Sequence, residues 1–133
     1  MISFIIPAYN EQACFGRTSQ AIHESARAAG QPYETIMVDD ASTALTAEIA
    51  RQNNARVINV NRRQIAATRN AGARAATGER LFFVDADTII KPLVAASALR
   101  CMDKGAAGGA PARFDRDAPL LSLWNQPPLP IQF

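Results

Sequence analysis

One histidine and two cysteines are all that the 133 residues offer as soft metal ligands, and Cys14 and Cys101 stand far apart with no CxxC spacing. A structural zinc site and a disulfide framework are therefore both unsupported, and the two thiols are expected to be reduced and buried. Net charge is equally scarce. Fourteen Lys and Arg against twelve Asp and Glu leave +2, too little to draw in nucleic acid by charge. Long apolar runs are missing as well: the opening MISFIIPAYNEQ is interrupted by Pro7 and has no basic leader, so it reads as neither signal peptide nor membrane span. A cytoplasmic location is expected, with peripheral attachment at the inner face of the membrane as its variant. No internal repeat divides the chain.

What is present is 48% apolar residues, enough for one domain with a real core. Short apolar runs alternate with longer amphipathic ones. Residues 2–7, 35–38, 56–60 and 80–84 read as strands, the second stopping at Asp39 and Asp40. Residues 12–29, 43–53, 64–77 and 92–104 read as helices; Gly30, Gly78 and Gly105 end three of them and Pro92 suits the first turn of the last. This alternation predicts an α/β sandwich with a mainly parallel sheet.

Ligands of such sheets bind at the carboxyl ends of the strands. Three polar loops are expected there: PAYNE (7–11), DDAST (39–43) and DADT (85–88). Asn10, Ser42 and Thr43 suit helix caps, a role compatible with ligand contact. Asp85 and Asp87 are different, since one carboxylate would be enough for a cap. They end the apolar run FFV one residue apart, where burial would raise their pKa values or cost several kcal/mol without a nearby positive charge. A cation is expected between them. Magnesium or manganese fits, being held by one or two carboxylates and sharing its other positions with water and substrate phosphates.

Four blocks, FIIPAYNE (4–11), IMVDDAST (36–43), ATRNAGARAATGE (67–79) and LFFVDADT (81–88), resemble in order and spacing the inverting nucleotide-sugar glycosyltransferases of family 2. The resemblance covers roughly residues 2–110. It implies the GT-A fold, a Rossmann-like α/β/α sandwich, with residues 1–112 binding a nucleotide-diphospho-sugar, UDP- ahead of GDP-, for transfer to a saccharide, lipid or protein acceptor. It also implies that Pro7, Ala8, Tyr9 and Glu11 line the nucleotide pocket and that Asp40, or its neighbour Asp39, accepts from the base. Arg69 or Asn70 would contact the nucleotide. Asp85 and Ala86 would meet ribose and diphosphate, and Asp87 together with Asp85 would hold Mn2+ or Mg2+. The physical chemistry agrees. A uracil or guanine imide N–H needs an acceptor, Tyr9 can pack on a ring, and a divalent ion stabilises a departing diphosphate. Arg74 is a second phosphate candidate.

Some residues depart from the family pattern. Ala41 stands where glycine is commonest, and residues 113–133 read as a partial acceptor-side segment with a Pro-rich tail, so the acceptor half is expected to be incomplete. Asp115 and Asp117 read as loop charges, and no residue matches the family's general base. Weak or absent transfer is expected on that reading, as is self-association through Leu120, Leu121, Leu123 and Trp124. Two rivals remain: a non-catalytic nucleotide-binding or assembly module, and a receiver-like phosphoacceptor domain built on Asp39, Asp40 and Asp85.

Overall fold

The run ISFIIPA is apolar at almost every position, and a strand of that kind needs cover on both faces. The computed structural model describes residues 1–9, 12–40, 44–105 and 108, and the side chains of all of these except 12, 13 and 44–47. In it β1 (Ile2–Ala8) is followed by α1 (Gln12–Ala29), β2 (Tyr33–Asp40), α2 (Ala44–Gln52), β3 (Arg56–Val60), α3 (Ile65–Ala75), β4 (Arg80–Phe83) and α4 (Pro92–Asp103). The sheet order is β3-β2-β1-β4 and every pairing is parallel. All seven residues of β1 are buried.

The chain is thus the α/β/α sandwich that the alternation predicts. On one face Phe4, Ile6 and Met37 pack with Phe15 and Ile22 of α1, Ala50 of α2 and Leu99 of α4. On the other, Ile5, Ile36 and Val38 are covered by Ala71, Ala73 and Ala76 in and just after α3. The small residues of α3 let it lie close to the sheet. At Gly72 a Cβ would come within 2.8 Å of Val38 Cγ2 and closer still to Ile5 Cγ2, so only glycine fits there without displacing two core side chains.

Pro7 lies in a central strand, where a missing N–H normally breaks a ladder. Val84 N–H donates to the Ile5 carbonyl at 3.0 Å, which turns the backbone polar groups of alternate residues 3, 5 and 7 toward β4. The last β1–β4 pair is Ile5 with Phe83, so the proline falls beyond the ladder and costs it no bond.

At the amino end of the sheet Glu34 ties three segments together. Its Oε1 accepts from Ser3 Oγ at 2.7 Å, from the Thr77 N–H at 2.7 Å and from Thr77 Oγ1 at 2.9 Å, while Ser3 Oγ accepts the Gly78 N–H at 2.9 Å. Burial would raise this carboxyl, but those hydrogen bonds and the nearby Arg56 charge outweigh it and hold it below its ordinary value.

Three expectations need correction. β2 does not stop at Asp39 and Asp40 but includes them, because β3 carries the ladder on through Asp39–Asn59 and Asp40–Val60. β4 is not a buried strand: among the described residues it lies at the sheet edge, and Phe83 is 43% exposed. The cysteines are free, but both are exposed. The inward stripe of α1 runs through Phe15, Thr18, Ile22 and Ala26, and that of α4 through Ala95 and Leu99, which leaves Cys14 and Cys101 off the apolar faces. Among the described residues no helix is long and apolar enough to cross a membrane. Asn10, Glu11, Ala41, Ser42, Thr43 and all of 113–133, with the self-association surface expected there, lie outside the described residues.

Candidate functional site

Parallel strands with helical crossovers bring all their carboxyl ends to one edge, and here that edge is organised by the Asp40 carboxylate. Oδ1 accepts the backbone N–H of Arg62 at 2.7 Å and of Arg63 at 3.1 Å, and Oδ2 accepts from Thr68 Oγ1 at 3.1 Å. One side chain at the end of β2 therefore fixes both the loop after β3 and the first turn of α3. Asp40 is only 6% exposed. Burial raises its pKa, but the N–H groups of Arg63 and Arg62, the Thr68 hydroxyl and the Arg63 charge together hold it below the ordinary 3.8.

A pH dependence follows from these two depressed carboxyls. An acid whose folded pKa lies below its unfolded one stabilises the fold above the unfolded value and loses that contribution as pH falls through the folded value. With ordinary values of 4.5 for Glu34 and 3.8 for Asp40, the melting temperature is expected to be level down to about pH 5 and to fall below about pH 4. Calorimetry of the wild type beside Glu34→Gln checks this. The variant should melt lower at pH 7 and show a shallower acid decline, and parallel curves would refute the assignment.

Around Asp40 lies a cavity of about 400 Å³, within the range of small-molecule sites. Pro7, Ala8 and Tyr9 from the end of β1 form one wall, and Arg63, Gln64, Ile65 and Thr68 form the other. Tyr9 is 53% exposed and so presents a ring face. Asp39 and Asp40 point to opposite faces of the sheet; Asp40 lines this cavity, whereas Asp39, paired in register with Ala8 and 4% exposed, does not.

The second carboxylate cluster lies across β1, two strand spacings or roughly 10 Å away. Past β4, Val84 and Ala86 are buried and Asp85 and Asp87 exposed. The Ala86 carbonyl accepts from Thr18 Oγ1 at 2.6 Å, and a turn closes from Thr88 N–H to the Asp85 carbonyl at 3.0 Å. Ala86 thus serves as an inward anchor, and the carboxylates on either side of it face outward. Because they are exposed, the desolvation expected of a buried pair does not arise. A cation is nevertheless present: Arg69 Nη2 donates to Asp85 Oδ1 at 3.1 Å. The Nε of Arg69 is buried without a partner, so this guanidinium has a donor to spare.

Asn70, beside Arg69, is exposed, and Arg74 is exposed in the last turn of α3. Five residues further along the helix, or about 7.5 Å, Arg74 is not gathered with the others. Among the described residues no group of three or more His, Cys, Asp or Glu comes together as a metal cage. An ion here would rest on Asp85 and Asp87 and draw its remaining ligands from elsewhere, as magnesium and manganese commonly do.

The loop Asn61–Gln64 was missing from the expected site. The sequence did contain a signal: by the same carboxyl-edge rule that selects the loops after the first, second and fourth strands, the loop after the third belongs there too.

Known proteins resemble this chain in sequence and in fold. The model of the glycosyl transferase family 2 matches residues 3–128. Validoxylamine A glucosyltransferase of Streptomyces hygroscopicus subsp. limoneus is 30% identical over 85% of this chain, which spans 25% of that protein. The structure of S. aureus TarS in complex with UDP superposes with a TM-score of 0.60 at 27% identity, over 77% of this chain and 32% of that one. The mannosyltransferase PcManGT from Pyrobaculum calidifontis, in complex with GDP-Man and Mn2+, gives 0.66 at 26% identity, over 80% of this chain and 33% of that one. The chain therefore spans a quarter to a third of the length of these relatives.

Proposed function

The chain belongs to glycosyl transferase family 2, and from that premise we propose that it binds a uridine-diphospho-sugar along the carboxyl edge of its sheet for metal-assisted transfer of the sugar to an acceptor. The reading takes support from relatives in complex with UDP and with GDP-Man and Mn2+.

The observation that carries it is the unused acceptor capacity of Asp40. A carboxylate offers roughly four lone-pair directions, and three are taken by Arg62, Arg63 and Thr68. One remains, on Oδ2. Uracil presents a single imide N–H flanked by carbonyls, which one acceptor satisfies. Guanine presents a ring N–H and an amino group side by side, which would leave a buried donor unpaired at a cost of about 1–3 kcal/mol. The cavity therefore favours uridine, with Tyr9 against the ring.

From the base the nucleotide runs across the end of β1 toward Asp85 and Asp87. These two residues would hold Mg2+ or Mn2+; two exposed carboxylates one residue apart suit an ion that completes its shell with phosphate oxygens. When bound, the ion supplies Lewis-acid stabilisation of the diphosphate leaving group. Arg69 contributes beside it: the Nη2 now held by Asp85 can donate to the same phosphates as charge develops there.

Titration calorimetry with UDP and GDP, with and without Mn2+, together with UDP release from a panel of UDP-sugars, tests the reading. UDP should bind at least tenfold more tightly than GDP, the equivalent of about 1.4 kcal/mol, and Mn2+ should strengthen it. Binding without UDP release would leave a nucleotide-binding module. Failure of both nucleotides to bind would refute the proposal.

A further inference from the structure

Past the end of β4 the chain leaves the sheet: the last β1–β4 pair is Ile5 with Phe83, and the Val84 N–H makes the last bond to β1. Among the described residues only two hydrogen bonds then reach residues 85–88 from other elements. One ties the Asp85 side chain to Arg69. The other, from Thr18 Oγ1 to the Ala86 carbonyl at 2.6 Å, grips the backbone itself. Thr18 is wholly buried and stands among Phe15, Ile22 and Ala26 of the inward stripe of α1, where a hydroxyl needs a partner. A hydroxyl inside a helix commonly turns back to the carbonyl four residues earlier; this one reaches a turn 68 residues away. The Ala86 methyl packs in the same core, so the residue between the two aspartates is held at two points.

Resting on the metal reading above, we infer that Thr18 is a positioning residue for the divalent ion, fixing from within the core the backbone that carries both carboxylates. Asp87 makes no hydrogen bond or ion pair among the described residues, so the direction of its carboxylate depends on that backbone. Magnesium demands near-ideal octahedral geometry, and removing a group that only orients metal ligands typically changes metal affinity ten- to a hundredfold. The competing account is a bond that serves packing alone, and the two differ in what the hydroxyl does for the metal.

Thr18→Val removes the hydroxyl and keeps the shape, whereas Thr18→Ser keeps the hydroxyl and loses a methyl. Mn2+ titrated into each protein with equimolar UDP, the free ion read by its electron paramagnetic resonance, gives metal affinity; calorimetry with UDP alone and thermal melting complete the test. In the valine variant Mn2+ affinity should fall about ten- to a hundredfold while metal-free UDP affinity stays at the wild-type value. The serine variant should hold Mn2+ as the wild type does, even where it melts lower. Unchanged Mn2+ affinity in the valine variant would overturn the inference. So would an equal loss in both variants, or a parallel fall in metal-free UDP affinity, since a packing role predicts either. Should Thr18→Val not melt cooperatively, Thr18→Ala takes its place beside the serine variant. If the wild type binds UDP without responding to Mn2+, the metal reading falls first and this inference falls with it.

Discussion

Asp87→Ala is expected to abolish the effect of Mn2+ on UDP affinity while leaving metal-free binding and the melting temperature close to wild type. Asp87 is exposed and, unlike Asp85, has no hydrogen bond or ion pair among the described residues. Its carboxylate contributes nothing visible to the fold. It also does not line the cavity around Asp40, so metal-free nucleotide binding should not register its removal. Turnover should respond most, because Lewis-acid stabilisation of a leaving group is worth several kcal/mol, and a loss of about 4 kcal/mol slows a reaction roughly a thousandfold. Calorimetry with and without Mn2+, followed by UDP release from the best UDP-sugar, reads both effects. An undiminished response to Mn2+ would remove Asp87 from the metal site. Asp85→Ala is the informative companion: it also frees Arg69, so its loss of metal response should come with altered diphosphate affinity.

Asp40→Asn should separate the architectural role of that carboxylate from its role toward a ligand. The amide oxygen can still accept from Arg62 and Arg63. The amide NH2 can face Thr68, whose hydroxyl also donates to the Gln64 carbonyl at 2.9 Å and so can turn to accept. The loop should survive, losing about 1–3 kcal/mol as charged hydrogen bonds become neutral ones. The one open acceptor position, however, now carries an N–H that would meet the imide N–H of the base. UDP affinity is expected to fall roughly ten- to a hundredfold, with the fold intact by circular dichroism and a modestly lower melting temperature. Unchanged affinity would remove Asp40 from the base contact and with it the role given to the cavity that it lines.

The architecture was legible because the apolar runs carry it. A central strand buried on both faces leaves a run such as FIIP, and a helix that lies flat on a sheet leaves small residues such as those of ATRNAGARAA. Strand ends were read less well: β2 begins at Tyr33 and reaches Asp40, since a ladder ends where its partner does and not where the apolar residues do. The exposure of Phe83 has a similar origin. FFV is as apolar as a central strand, but its place at the edge depends on strand order, which no local pattern encodes. In the candidate site, Pro7, Ala8, Tyr9, Asp40 and Arg69 came from the resemblance of the four sequence blocks, and Asp85 and Asp87 also from their place at the end of FFV. Arg62 and Arg63 were not legible, because what they give Asp40 is a backbone N–H, and every residue except proline has one. The cysteines were misplaced for a simpler reason: their usual burial is a tendency of the residue type, overridden here by helix phase.

The position of β1 between β2 and β4 has a further consequence, in the order of assembly as the chain leaves the ribosome. Ile2 pairs with Tyr33 on one side and with Arg80 on the other, so of the four described strands the earliest waits for the latest to complete its ladder. Every residue that walls the cavity, from Pro7 to Thr68, has been synthesised before β4 and the aspartates beyond it. Contacts between segments distant in the chain form late, and chains fold from the amino terminus during synthesis. The nascent chain can therefore build the Asp40 cavity on three strands first, and the carboxylates of Asp85 and Asp87 join an edge already in place.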